Sequence, residues 1–208
     1  NDPGFMTYLG STRKVFDENS PSSMYSQNPQ NPQNLDFKYV TDIEEARRVV
    51  TSLLTEPAIG LDIETTGLDP VLEKIRTVQL SGKGRTWVID AYRVSMEELK
   101  PLISTGPVKV IHNAKFEAGF FWESSAAVMP EPMFDTMLAA QVIDGGEHYR
   151  VKGYFTLAAA CERFLGVTLD KTPQTSDWGE ELSPQQIEYA AWDAAVLLPL
   201  YEKLKKEA

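Results

Sequence analysis

The run Ile59-Gly60-Leu61-Asp62-Ile63-Glu64-Thr65-Thr66-Gly67 constrains this chain more than any other stretch. Its aliphatic residues mark a strand, and a strand sends alternate side chains to opposite faces, so Asp62 and Glu64 point the same way. Two bare carboxylates side by side repel. A strand that carries them needs a cation to neutralise the pair, or a raised pKa that protonates one member, and a divalent metal answers both acids at once. The plainer alternative is an exposed acidic edge strand, since acids gather at strand ends.

Two further segments place acids where tertiary folding can bring them to this strand. Tyr189-Ala190-Ala191-Trp192-Asp193 lies in a helical pattern predicted from Ser183-Pro184 to about Lys206. Ser183 suits an N-cap, Pro184 the first helical position, and Ile187, Ala190, Ala191, Ala194, Leu197, Leu198 and Tyr201 form the apolar stripe. A spacing of four puts Tyr189 and Asp193 on one helix face. Taken alone they read as a packed ring and a partly buried, hydrogen-bonded acid, yet the alanines around them leave room for a ligand. In Val110-Ile111-His112-Asn113-Ala114-Lys115-Phe116-Glu117 a short β-type run breaks and continues as a helix, with Glu117 in its first turn. A glutamate there is ordinarily a cap or a partner of the helix dipole.

In this order the three segments resemble the DEDDy group of 3'-5' exonucleases, which includes ribonuclease D, the proofreading domain of bacterial family A DNA polymerases and Werner-type exonucleases. The resemblance spans about Phe37 to Leu204. Leu61 to Leu68 is similar to the first motif, His112 to Glu117 to the second and Tyr189 to Asp193 to the third. Phe134 to Ala140, Phe164 to Val167, Asp170-Lys171 and Ser176-Asp177-Trp178 look like the same family's connecting regions. One departure stands out: the second motif normally ends in aspartate, and Glu117 is longer by one methylene, about 1.5 Å of reach.

The resemblance implies Asp62, Glu64, Glu117, Tyr189 and Asp193 as the catalytic set, with the four acids as metal ligands. Asp62, Glu64 and Asp193 would hold one Mg²⁺ or Mn²⁺, and Asp62 would bridge to a second that Glu117 reaches directly or through water. Two such divalent cations, about 3.5 to 4 Å apart, activate water and stabilise the leaving 3'-oxygen, releasing nucleoside 5'-monophosphates from a single-stranded DNA or RNA 3' end. Tyr189 would orient the water, its ordinary pKa near 10 making it a poor base. Thr65, Thr66, Gly67 and Leu68 follow the metal strand and are expected to meet the terminal nucleotide, with Asn113 and Phe116 in the same groove. Asp135 is an alternative second-metal acid, although its place between strand and helix favours an N-cap. Neither His112 nor His148 has a metal-binding spacing.

Composition bounds these expectations. With 208 residues, 42% of them hydrophobic, the chain suffices for one full core. A net charge of -10 gives no general electrostatic footprint for nucleic acid. That argues against tight non-specific duplex binding and leaves open a metal nuclease, whose ions supply local positive potential. Lys115, Arg150, Lys152, Arg163 and Lys171 are candidates for a local basic rim or plain surface charges. The single cysteine, Cys161, excludes internal disulfides and thiolate zinc sites. With no apolar stretch long enough to cross a membrane and no signal-peptide pattern, a soluble, cytoplasmic protein is expected.

Residues 1–36 are expected to be a flexible tail or linker, 1–5 a vector remnant before Met6, and 37–208 the exonuclease domain. The tail is rich in Ser, Asn, Gln and Pro and lacks packing periodicity. From Thr41 the pattern predicts a helix over 42–54 and strands over 58–63, 75–80 and 86–90, three antiparallel strands that start the sheet. A helix over 95–102, a strand over 108–111, a helix from 114, a strand over 132–134 and helices over 135–142, 156–164 and 184–206 follow. This order predicts an α/β fold, a mixed sheet flanked by helices, which agrees with the ribonuclease H-like fold the resemblance implies. Two other readings stay open: a non-catalytic exonuclease-like domain that binds nucleic acid or a protein partner, and another two-metal enzyme on this fold. A place in a larger polymerase or repair assembly is also compatible with the resemblance.

Overall fold

Alternation in β2 (Ala58–Thr65) divides the molecule into two layers around one sheet. The computed structural model describes residues 35–82, 84–169 and 177–207, so the expected tail up to residue 34 and the features at Asp170, Lys171 and Ser176 lie outside the described residues. Ile59, Leu61 and Ile63 face one way, into a core shared with Val78 and Leu80 of β3 (Ile75–Gly82) and with Val49, Val50 and Leu53 of α1 (Ile43–Leu53). Leu99, Leu102 and Ile103 of α2 (Met96–Ser104) complete that layer. Ile59 and Leu61 have no exposed surface, and each such side chain contributes about 1.5–3 kcal/mol. Asp42 and Ser95 cap the two helices with their side-chain oxygens, as their sequence positions require.

The sheet has six strands in the order β1-β4-β3-β2-β5-β6, where β1 is Phe37–Val40, β4 Arg85–Asp90, β5 Val108–Ile111 and β6 Met133–Asp135. The pairs β2–β3 and β3–β4 are antiparallel; β1–β4, β2–β5 and β5–β6 are parallel. β2 is thus an interior strand, which removes the edge-strand reading of its two acids. The three strands expected to be antiparallel are β2, β3 and β4 and pair so, but they do not start the sheet: β1, absent from the expectation, precedes them. It joins β4 in parallel, and the Tyr39 hydroxyl donates to Asp90 at 2.5 Å. Asp90 also pairs with Arg76 at 2.6 Å, both side chains being almost fully buried.

The second layer lies on the face that carries Gly60, Asp62 and Glu64. Their cross-strand partners on β3 are Ser81, Gln79 and Thr77. Over them run α6 (Pro184–Ala195) and α7 (Leu197–Glu207). Small residues face the sheet here, and Ala190, Ala191 and Ala194 are wholly buried. Contact is close enough that a Cβ on Gly60 would lie 2.4 Å from the Ala194 carbonyl oxygen, so only glycine fits.

The single helix predicted over 184–206 is two helices that break at Val196. Pro199 is the cause: it has no N–H for the carbonyl of Ala195, and its ring crowds that turn. The start of α6 is as predicted, with Ser183 and Gln186 forming a reciprocal capping box. The remaining helices are α3 (Ala114–Glu123), α4 (Thr136–Asp144) and α5 (Leu157–Leu165). The last two pack with α7 around Ala140, Ala160, Cys161, Val196 and Leu200.

Candidate active site

Four elements bring acids to one cleft. β2 supplies Asp62 and Glu64 from its polar face, α3 supplies Glu117 from its first turn, and α6 supplies Asp193 beside Tyr189. Asp177 joins them from the segment before α6. The resulting cavity, of about 350 Å³, is also lined by Thr65, Thr66, Gly67, Leu68, Phe116 and Trp178. Among the described residues, five carboxylates and no Lys, Arg or His line it.

Asp62, Glu64 and Asp193 each offer an oxygen, and these oxygens all lie within 4.8 Å of one another. Burial pushes the Asp62 carboxyl well above its ordinary range, and Asp193 adds to the shift. Burial does the same for Glu64, reinforced by Asp62, Asp193 and Glu117. Asp193 is pushed up to about 7 by burial, against a hydrogen bond from Tyr189 that favours its charged form. The Tyr189 phenol is raised by burial and then by Asp193, so it stays protonated. Glu117 stands outside the group of three. Its carboxyl is 4% exposed, its Oε2 has no hydrogen-bond partner, and burial followed by Asp62 raises its pKa.

The residues fit divalent cations. Hard carboxylate oxygens converge with no basic side chain among the described residues to neutralise them, and Glu117 brings an orphaned buried oxygen to the same cleft.

Other expected residues find definite places. Thr65, Thr66, Gly67, Leu68 and Phe116 line the cavity, and Leu68 is 84% exposed. The threonine hydroxyls also shape the turn: Thr65 donates to the Gly67 carbonyl at 2.6 Å and Thr66 to Glu73 at 2.6 Å. Asn113, expected in the groove, is not among the lining residues; it sits in a left-handed conformation (φ 69°) at the start of α3, its N–H bonded to Asp135. Asp135 is an N-cap, and a double one. It accepts from Met137 and Leu138 of α4 and from Asn113 and Ala114 at the start of α3, so both oxygens are committed to backbone. His112 is engaged at both ring nitrogens, with Thr136 and the Phe155 carbonyl, and burial lowers its pKa. Arg163 covers the Tyr154 ring at 3.8 Å.

Sequence reasoning left Asp177 and Trp178 without a site role. The signal available was an acid and an aromatic just ahead of the capping box at Ser183; Trp178 packs 6.4 Å, ring to ring, from Tyr189.

A mixed six-stranded sheet with an acid-bearing interior strand, flanked by helices, defines a ribonuclease H-like nuclease fold. Residues 37–208 match the family model described as a 3'-5' exonuclease, and the chain belongs to that family. It is 35% identical over 173 residues to DNA polymerase I of Aquifex aeolicus, covering 82% of this chain and 28% of the polymerase. The Escherichia coli RNase D structure superposes with a TM-score of 0.74 at 25% identity, covering 83% of this chain and 45% of that one. Brucella melitensis NrnC with bound Mg²⁺ shares the fold, with a TM-score of 0.64 at 24% identity over 84% of this chain and 82% of its own. The chain spans 28% of the polymerase and 38–44% of the curated ribonuclease D sequences it matches. Among the described residues no helix is long and apolar enough to cross a membrane.

Proposed function

We propose that this chain is a metal-dependent 3'-5' exonuclease that removes nucleoside 5'-monophosphates from the 3' end of single-stranded DNA or RNA. The carrying observation is the cleft itself: among the described residues, five carboxylates, three of them with oxygens within 4.8 Å, and no basic side chain in the lining. Asp62, Glu64 and Asp193 would hold one Mg²⁺ or Mn²⁺, and Glu117 with Asp62 a second; the Mg²⁺ in the NrnC structure supports the choice of ion. Bound there, the ions supply an activated water and charge stabilisation at the leaving 3'-oxygen.

The protein's own groups do the rest. Tyr189 keeps its proton, so its hydroxyl donates and orients, and takes no proton from water at neutral pH. Its neighbour Asp193 is the acceptor that fixes the direction of that hydroxyl. The turn Thr65 to Leu68 forms one wall, braced by its own threonine hydrogen bonds, and exposed Leu68 offers an apolar surface to the terminal nucleotide. Phe116 and Trp178 add aromatic surface to the cleft lining. The similarity to DNA polymerase I makes a place within a larger polymerase compatible with this reading.

The test uses 5'-labelled single-stranded DNA and RNA with Mg²⁺ or Mn²⁺. A ladder shortening from the 3' end, abolished by EDTA, is expected. A ladder that persists in excess EDTA, or cutting of a strand whose 3' end is blocked, overturns the proposal.

A further inference from the structure

The face that carries Asp62 and Glu64 continues onto β3 as a polar row with no obvious reason to be there. Thr77 and Gln79 have no exposed surface and Ser81 is 2% exposed, all under α6, where an apolar core is the ordinary solution. Ser81 and Thr86 satisfy one another at 3.1 Å. Gln79 differs. Its Nε2 donates to the Thr77 hydroxyl at 2.6 Å, while its Oε1 is buried and has no partner. Such an orphaned oxygen calls for an explanation.

Register supplies one. Gln79 is directly opposite Asp62 and Thr77 directly opposite Glu64 across the antiparallel pair, so their Cβ atoms are about 4.5–5.5 Å apart. We propose that Gln79, set by Thr77, is a positioning residue for the acid platform, its side-chain amide turning to give Asp62 a neutral hydrogen-bond donor when a divalent cation is held. This inference rests on the metal-dependent reading of the site.

The Thr77 hydroxyl makes the turn possible because it both donates and accepts. In the present arrangement it accepts from Nε2; with the amide reversed it donates to Oε1, and Nε2 is released toward Asp62. A metal-ligating carboxylate is an acceptor only, and a second partner that fixes its orientation typically matters 10–100-fold for metal affinity. A lysine or arginine in this place would compete with the cation. A neutral amide does not.

The experiment measures Mn²⁺ binding by calorimetry, and the thermal upshift on adding Mn²⁺, for wild type, Gln79→Leu, Gln79→Met and Thr77→Val. Both Gln79 variants exchange the orphaned Oε1 for an unpaired Thr77 hydroxyl, so the midpoint in EDTA should stay near that of wild type while Mn²⁺ binds about tenfold more weakly. Thr77→Val should weaken binding in the same direction by less. Mn²⁺ affinity equal to wild type in whichever Gln79 variant folds makes Gln79 a buried packing residue and overturns the proposal. If wild type itself gives no heat and no upshift, the metal-dependent reading fails, a result distinct from failure of the Gln79 role.

Discussion

Two buried charge clusters lie on this sheet, and they are built on opposite terms. At the β3–β4 side, Asp90 is answered from within: Arg76 at 2.6 Å, the Tyr39 hydroxyl at 2.5 Å and the Tyr92 N–H at 2.9 Å. At the open end of β2, Asp62, Glu64, Asp193 and Glu117 share one cleft with no basic partner among the described residues. In the first cluster a buried acid meets a buried cation, although the Arg76 Nε is left without a hydrogen-bond partner. The second gathers acids of one sign, whose burial and mutual repulsion push their pKa values up. A buried ion pair ties strands together, whereas a buried set of like charges is a site that a ligand must finish.

The sharpest way to break the comparison is to remove one acid from each cluster. Asp62→Ala should lower exonuclease rate about a thousandfold or more while leaving the ion-free protein as stable as wild type or more so, because a repelling carboxylate is gone. Asp90→Ala should lose about 3–5 kcal/mol of stability by leaving Arg76 buried and unpaired. Thermal midpoints in EDTA, read beside rates in Mn²⁺, check both. Destabilisation of similar size in the two variants would abolish the distinction.

A pH scan sharpens it. Folding raises the Asp193 pKa from 3.8 to about 7 and moves Asp62, Glu64 and Glu117 in the same direction. The folded ion-free protein therefore holds more protons than the unfolded chain between about pH 4 and pH 7. The stability these groups contribute is fully present below about pH 4 and is lost as pH rises through 7. In EDTA the midpoint should fall by roughly 5–10 °C between pH 5 and pH 8, and Mn²⁺ should remove most of the fall. A midpoint in EDTA that rises over this range would reverse the sign.

The smallest effect concerns Glu117. Its extra methylene costs side-chain entropy when the carboxylate is held. Glu117→Asp should keep the rate within roughly a factor of a few, and Glu117→Ala should cut it about a hundredfold at saturating metal. Mn²⁺, less demanding of geometry than Mg²⁺, should support wild type better. Metal titrations of rate for the three proteins decide it; an alanine variant as active as wild type removes Glu117 from the ligand set.

The sequence carried the acids well because their chemistry is local: alternation puts Asp62 and Glu64 on one face, and a spacing of four aligns Tyr189 with Asp193. What it hid was non-local. Strand β1 has four residues, and its parallel partner begins 48 residues later, so no hairpin signal announces it. Thr77, Gln79 and Ser81 alternate with apolar residues as a solvent-facing row would, and only the covering helix reveals that they are buried. The break at Val196 was legible at Pro199, but the apolar stripe runs past it without a phase change. Asp135 was recognised as a cap; that one carboxylate starts two helices needed the fold to show it.

Gly60 bears no ligand, yet it acts as the gauge of the whole site. The α6–α7 junction rests on it almost backbone to backbone, so the height at which Asp193 enters is fixed by main-chain contact, as a machined stop fixes a tool. The short Asp193 side chain can then come within 4.8 Å of Asp62 and Glu64 without a longer arm. One added methyl at that stop would lift the helix and open the acid triangle from one side while every carboxylate stayed in the chain.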